Sequence, residues 1–215
     1  YILDRLETEA EKRNGASVLL TFYPHPRMVL FPENNDLKML NTQDEKVDLL
    51  AKSNLDHLII HPFSREFSRL NSVEFVRDVL VNQLGVSKLI IGYDHHFGRN
   101  REGTFDDLLE LASLYGFEVE QIEAQEFKDT QVSSTKIRSA IQEGDMKMVR
   151  HFLGYPFLLS GKVVRGAGIG STLGFKTANI EIKDRFKIIP PNGVYAVHVK
   201  IKEEAYIGML NIGIR

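Results

Sequence analysis

The chain has 215 residues, enough for one large domain or two modest ones, each with its own core. A net charge of −2 and a pI near 6.4 remove any general electrostatic attraction to nucleic acid or anionic membrane, so a nucleotide partner is expected to be a small molecule. The absence of cysteine excludes disulfides, thiolate metal sites and cysteine nucleophiles. With no signal-peptide pattern and no run of about 18 apolar residues, the sequence reads as a soluble, cytoplasmic protein.

Ile2, Leu3, Leu6 and Ala10 recur at helical spacing, and Gly15 follows as a stop. Val18 to Phe22 reads as a buried strand. A helix capped by Thr42 runs to about Ser53, His57 to Ile60 is a strand, and Ser72 to Leu84 a helix ended by Gly85. Lys88 to Ile91 is a strand, Asp106 to Tyr115 a helix and Phe117 to Ile122 a further strand. Short apolar strands alternating with helices predict a parallel, doubly wound α/β sheet.

In such sheets ligands bind beyond the carboxyl ends of the strands, and this rule directs attention to particular loops. Thr21-Phe22-Tyr23-Pro24-His25-Pro26 is stiffened by two prolines, which hold Phe22 and His25 in a fixed arrangement. His25 itself reads either as a hydrogen-bonded structural histidine or as a ligand contact. The loop from Gly92 to Gly103, GYDHHFGRNREG, places Asp94 where it can accept hydrogen bonds from a ribose or base, with Arg99 and Arg101 available to phosphate. A metal site at His95 and His96 is disfavoured, because adjacent residues of an extended chain point to opposite faces. Ser133-Ser134-Thr135 opens a helix whose apolar face is Ile137, Ala140 and Ile141 and whose stop is Gly144. Three hydroxyls at a helix start beside Lys136 and Arg138 read as an anion site or, more simply, as a helix cap.

After a short helix from Asp145 to Leu153, Gly154-Tyr155-Pro156 breaks the pattern, and the boundary is placed near Pro156. Strand periodicity follows at Phe157 to Val164, Thr177 to Ile182, Val194 to Ile201 and Ala205 to Asn211, which predicts an antiparallel β-barrel. Tyr195, Val197, Val199 and Ile201 are expected to face its core. Gly161, Gly166, Gly168, Gly170 and Gly174 fall within nineteen residues that end at Thr177 and Asn179. Glycines this dense fit a phosphate-cradling loop or a hairpin at a barrel corner. Thr177 and Asn179, two apart on an extended chain, offer a hydroxyl and an amide oxygen on one face, a donor pair suited to Mg²⁺.

TFYPHP, GYDHHFGRNREG and VSSTKIR, in this order and spacing, resemble the adenylyltransferase half of bacterial bifunctional riboflavin kinase/FAD synthetases. SSTxIR at a helix start is a mark of the wider nucleotidyltransferase superfamily. Gly166-x3-Gly170, Leu173-Gly174-Phe175 and Thr177-Ala178-Asn179-Ile180 resemble the riboflavin kinase signature, which Pro190 to Val197 and Gly208 to Gly213 continue. Three positions depart from the family pattern: Ser171 stands where Arg is usual, Lys176 where Pro is usual, and His95 where Phe is common.

The resemblance implies a Rossmann-like FMN adenylyltransferase domain over residues 1–156 and a riboflavin kinase barrel over residues 157–215. It implies ATP and flavin contacts at Phe22, His25, Pro26, Asp94, Phe97, Gly98, Arg101, Ser133, Ser134, Thr135 and Arg138. Kinase ATP contacts are implied at Gly166, Gly168, Gly170, Gly174 and Thr177, with Thr177 and Asn179 holding Mg²⁺. The substrates and products would be ATP, riboflavin, FMN and FAD. The family's HxGH loop and glutamate base have no counterparts here, so a chain truncated at both ends is expected. A non-catalytic flavin or nucleotide module, or a nucleotidyltransferase with another acceptor, are the competing readings.

Overall fold

Ile2, Leu6 and Ala10 give helix α1 (Ile2–Lys12) one apolar face, and backbone bonds to Ala10 and Glu11 close its end. The computed structural model describes residues 1–33, 36–123, 126–127, 130–166, 174 and 177–213. Runs of aliphatic residues downstream form four strands, β1 (Val18–Tyr23), β2 (His57–Pro62), β3 (Lys88–Gly92) and β4 (Glu118–Ile122). Between and beside them lie α2 (Pro26–Leu30), α3 (Gln43–Leu50), α4 (Ser72–Glu74) and α5 (Phe105–Tyr115).

β1 pairs with β2 in parallel, Val18 opposite His57, and β3 pairs with β4 in parallel, Lys88 opposite Glu118. The parallel pairing agrees with the alternating pattern, but the single doubly wound sheet does not appear. The described strands make two separate two-stranded sheets. Leu19 and Leu20 of β1 and Leu89 and Ile90 of β3 border a common cavity, so open space stands where a backbone ladder would join them.

An Asn71 capping box starts α4, with Asn71 Oδ1 accepting from the Glu74 N–H and the Glu74 carboxylate from the Asn71 N–H. The helix then widens: Phe75–Gln83 is a π-helix, and the Leu84 N–H reaches back to the Val79 carbonyl. Val76, Leu80, Ile91, Phe97, Leu108, Ala112 and Phe117 form the core beneath.

A charged ladder ties α1 to β3 and β4. Lys88 donates to Glu9 at 2.8 Å and lies 2.6 Å from Glu120, Arg5 donates to Glu120 at 2.6 Å, and Lys12 donates to Glu9 at 2.9 Å. These bonds lower both acids to about 2, Lys88 acting first on Glu9 and Arg5 first on Glu120.

The chain divides into two compact units, one of Tyr1–Leu37 and Lys46–Gln125, the other of Lys38–Glu45 and Glu126–Arg215. In the second, a short antiparallel ribbon, β5 (Glu126–Phe127) with β6 (Thr130–Gln131), precedes helices α6 (Ser134–Glu143) and α7 (Met146–Leu153). Gly144 and Gly154, both at φ 78°, stop these helices in the left-handed conformation that glycine tolerates. Ile137, Ala140, Ile141, Val149 and Ile188 are the second core, with Leu40, Met148, Phe152 and Phe157 against it.

Four strands follow: β7 (Lys162–Val164), β8 (Asn179–Glu181), β9 (Gly193–Ile201) and β10 (Glu204–Ile212). β7 pairs antiparallel with β8, and β9 with β10, Ile201 opposite Glu204. No closed barrel is present among the described strands; they form two separate ribbons, each keeping free edges. Tyr195, Val197 and Val199 are half-buried as expected, whereas Ile201 is exposed, and Ile207 and Met209 stand 84% and 86% exposed. The first expected strand is also shorter, because residues 157–160 do other work: Phe157 packs on the core and the Ser160 N–H binds a carboxylate.

That carboxylate is Glu45, one half of a buried ion pair. Lys187 Nζ donates to Glu45 Oε2 and to the Leu40 carbonyl, both at 2.6 Å, and lies 4.3 Å from the centre of the Phe157 ring. Glu45 also accepts from the Thr42 and Ser160 N–H groups, at 2.9 and 2.8 Å. Burial lowers the Lys187 pKa, against which Glu45 acts to raise it.

Two outcomes are expected. Lys187→Met, which strands a buried carboxylate, should cost about 3–5 kcal/mol of stability by urea denaturation. In the ladder the folded pKa values lie below the ordinary 4.5, so its stabilisation is complete above pH 4.5 and is lost as pH falls toward 2. Thermal melts of Glu9→Gln should therefore show a smaller loss between pH 6 and pH 3 than the wild type, at roughly one carboxylate's share.

Candidate functional site

Three of the four parallel-strand ends build a single cavity in the first unit. Phe22 of β1 and His25 and Pro26 after it line the cavity, as do Asp94 to Gly98, Asn100 and Arg101 after β3. The end of β2 supplies Phe63, Phe67, Ser68 and Leu70, which the sequence reading missed. The cavity holds about 1660 Å³, above the roughly 300–1,000 Å³ of a small-molecule pocket, because it continues between β1 and β3.

Its walls are aromatic. Phe22 lies 5.8 Å from Phe63, 5.4 Å from Phe67 and 6.5 Å from Phe75 between ring centres, and Phe75 lies 6.2 Å from Phe97. His61 stacks on Phe67 at 4.4 Å. Such edge and tilted contacts fix the rings against one another and leave an apolar slot for a planar ligand. The signal for Phe63 and Phe67 was present in HPFSREF, an aromatic pair directly after a strand, but no single residue of it has an unusual chemistry.

The polar groups sit at the rim. His25 caps α2, its Nδ1 accepting from the Arg27 N–H at 3.2 Å, and it also lines the cavity. Asp94 is exposed there. His95 has its pKa lowered by loss of solvent, more than Asp94 raises it; Arg101 and His96 lower it further. Phe97, only 8% exposed, is as much core as lining.

The predicted phosphate residues of α6 belong to the second unit. Ser133 is the N-cap, its Oγ accepting from the Lys136 N–H at 3.3 Å, and Ser134 and Thr135 are exposed on the first turn. Arg138 turns back, donating from Nε to the Lys38 carbonyl at 2.6 Å, and burial lowers its pKa.

Of the glycine stretch, Gly168, Gly170 and Ser171, with Leu173, Phe175 and Lys176, lie outside the described residues. Gly174 has φ 78°. Gly166 lies against the side chain of Asn179, where a Cβ would overlap the amide. Thr177 is exposed two residues before Asn179 opens β8. Among the described residues no cluster of three His, Asp or Glu side chains is placed to hold a metal.

Parallel strands whose carboxyl-end loops surround an aromatic slot with a polar rim define an α/β ligand-binding protein. The comparisons make the class specific. The FAD synthetase family matches residues 1–136 and the riboflavin kinase family residues 153–215. The bifunctional riboflavin kinase/FMN adenylyltransferase of Escherichia coli K12 is 35% identical over 215 residues, covering all of this chain and 68% of that protein. Its counterpart from Listeria monocytogenes is 34% identical over 212 residues, covering 99% of this chain and 67% of that one. A crystal structure described as a macrolide-efflux protein of Streptococcus pneumoniae superposes with a TM-score of 0.87 at 30% identity, over 99% of this chain and 68% of that one. No helix among the described residues is long and apolar enough to cross a membrane. The chain belongs to the bifunctional riboflavin kinase/FMN adenylyltransferase family.

The balance at His95 is directly measurable: an NMR titration should place its midpoint below the ordinary 6.5. A midpoint above 6.5 would mean that attraction to Asp94 outweighs the loss of solvent.

Proposed function

We propose that the protein makes FAD in two ATP-dependent steps, phosphorylation of riboflavin to FMN and adenylylation of FMN. In the first, the riboflavin 5′-hydroxyl takes the γ-phosphoryl group and ADP leaves. In the second, an FMN phosphate oxygen attacks the α-phosphorus of another ATP and pyrophosphate leaves. The observation that carries the reading is the aromatic slot with Asp94 and Arg101 at its rim, in a chain of this family. The slot suits a flavin ring, and Asp94 suits a hydroxyl donor.

The adenylyltransferase part is assigned to residues 1–156, as a Rossmann-like domain, and the kinase part to residues 157–215, as a riboflavin kinase barrel. The β9–β10 ribbon supports the barrel, since Tyr195, Val197 and Val199, with Leu210 opposite Tyr195, give it one half-buried face that a closed β-structure would turn inward. Ser133, Ser134, Thr135 and Arg138 are assigned to ATP phosphate, where the start of α6 offers free N–H groups and a favourable dipole. Gly166, Gly168, Gly170 and Gly174 are assigned to the kinase phosphate loop. The reaction's demand for ATP supports a cytoplasmic location.

Mg²⁺ fits the kinase residues. The space left by the missing Cβ of Gly166 seats the Asn179 amide, so Asn179 and Thr177 would hold the ion by neutral oxygens, leaving further positions to phosphate and water. When bound, the ion would offset negative charge on the transferring phosphoryl group. The chain's own part is to position the donors: Gly166 leaves room for the amide, and pairing with Val164 sets the backbone of Asn179.

In the full-length protein, Thr177→Ala or Asn179→Ala should lower FMN formation from riboflavin by about 10²-fold or more, while FMN adenylylation stays nearly intact. Chromatography of FMN and FAD reads both steps. Equal loss of the two activities contradicts the assignment, and a wild type that binds riboflavin and ATP without forming FMN indicates a non-catalytic module.

A further inference from the structure

The loop from Phe97 to Gly103 is locked at its base and strained at its tip. Phe97 and Gly103 exchange both backbone hydrogen bonds, at 3.2 and 2.9 Å. The Phe97 ring covers Gly103 so closely that a Cβ there would meet three ring carbons at 2.7–2.8 Å. Gly98, at φ 73°, lies against the backbone of Ser72, where a Cβ would come within 2.7 Å of the nitrogen. The Arg99 N–H donates to the Leu70 carbonyl at 2.8 Å, and Glu102 Oε1 accepts from the Ser72 N–H at 3.2 Å. At the tip, Asn100 and Arg101 sit at φ 56° and 59°, two successive residues other than glycine in the left-handed region. Each pays for that conformation, and such strain persists where surrounding structure enforces it.

Both strained residues line the aromatic cavity. The other lining cations with permanent charge are already engaged: Lys88 with Glu9 and Glu120, Arg13 with Glu118 and Glu9. Arg101 has no ion pair among the described residues. A cavity with stacked rings inside and an unneutralised guanidinium at the mouth suits a planar ligand that ends in a phosphate.

We propose that Arg101, held by this loop, clamps the terminal phosphate of the flavin and so makes the cavity select FMN over riboflavin. The inference rests on the cavity being the flavin site of the adenylyltransferase step. Asn100 supplies the second left-handed residue of the tip, and Asp94 on the same rim is left to the neutral hydroxyls of the ligand.

The test uses FAD formation by the full-length protein in an Asn179→Ala background, in which added riboflavin is not phosphorylated, so that only the adenylyltransferase site is read. It measures the KM for FMN, the KM for ATP and the inhibition constant of riboflavin against FMN, in wild type, Arg101→Lys and Arg101→Gly. Arg101→Gly should raise the FMN KM by about ten- to a hundredfold, the loss of one charge-assisted contact. The riboflavin constant and the ATP KM should not move, and Arg101→Lys should fall between. Thermal melting of Arg101→Gly should match or exceed the wild type, because glycine relieves the tip. Parallel loss of FMN and riboflavin binding, or a loss confined to ATP, overturns the clamp. A wild type that forms no FAD from FMN instead overturns the functional reading beneath it.

Discussion

Lys187 and Glu45 are separated by 142 residues and meet at 2.6 Å with side chains essentially closed to solvent. Two charges taken that far from water are held only because each has further partners. Lys187 gives a second hydrogen bond to the Leu40 carbonyl and lies over the Phe157 ring; Glu45 takes the Thr42 and Ser160 N–H groups. The pair's net contribution to stability is small in the usual case, but its geometry is unforgiving. It decides where the segment Lys38–Glu45 goes. The backbone agrees, since Met39 gives its N–H to Phe186 and takes one from Ile188. Once that segment is in place, Leu40 and Phe157 join Ile188 against α6 and α7.

The two units carry their candidate ligand residues in different ways. The first uses rings and rigidity: aromatic side chains from three strand ends pack on one another, and glycines bring loop backbone into contact with them. The second carries hydroxyls on the cap and first turn of α6 and an amide at the start of β8. Neither arrangement presents a strong nucleophile. That suits phosphoryl and adenylyl transfer, in which positioning and charge neutralisation carry most of the work.

Local signals in the sequence are strong. The first-unit strands, the Ser133 cap and the glycine stop at Gly144 are written in periodicity and in residues with restricted backbone preferences. The resemblance of three loops and one glycine stretch reached the family. What escaped was set by distance or by the absence of a distinctive residue. A lysine in KII looks like a surface break in an apolar run, and nothing near it announces a carboxylate from Glu45. Phe63 and Phe67 look like ordinary core residues until β2 brings them beside Phe22. The separate sheets and open ribbons likewise depend on which edges find partners, and strand periodicity does not encode that.

The second unit is organised around the buried carboxylate of Glu45, which accepts from two backbone amides. Residue-resolved hydrogen exchange on the wild-type protein tests this most directly. The N–H groups of Thr42 and Ser160 should exchange on the slow timescale of the α6 and α7 interior, despite lying in connecting segments. Exchange of either amide at the rate of an exposed loop would contradict the placement of Glu45 and, with it, the packing built around Lys187.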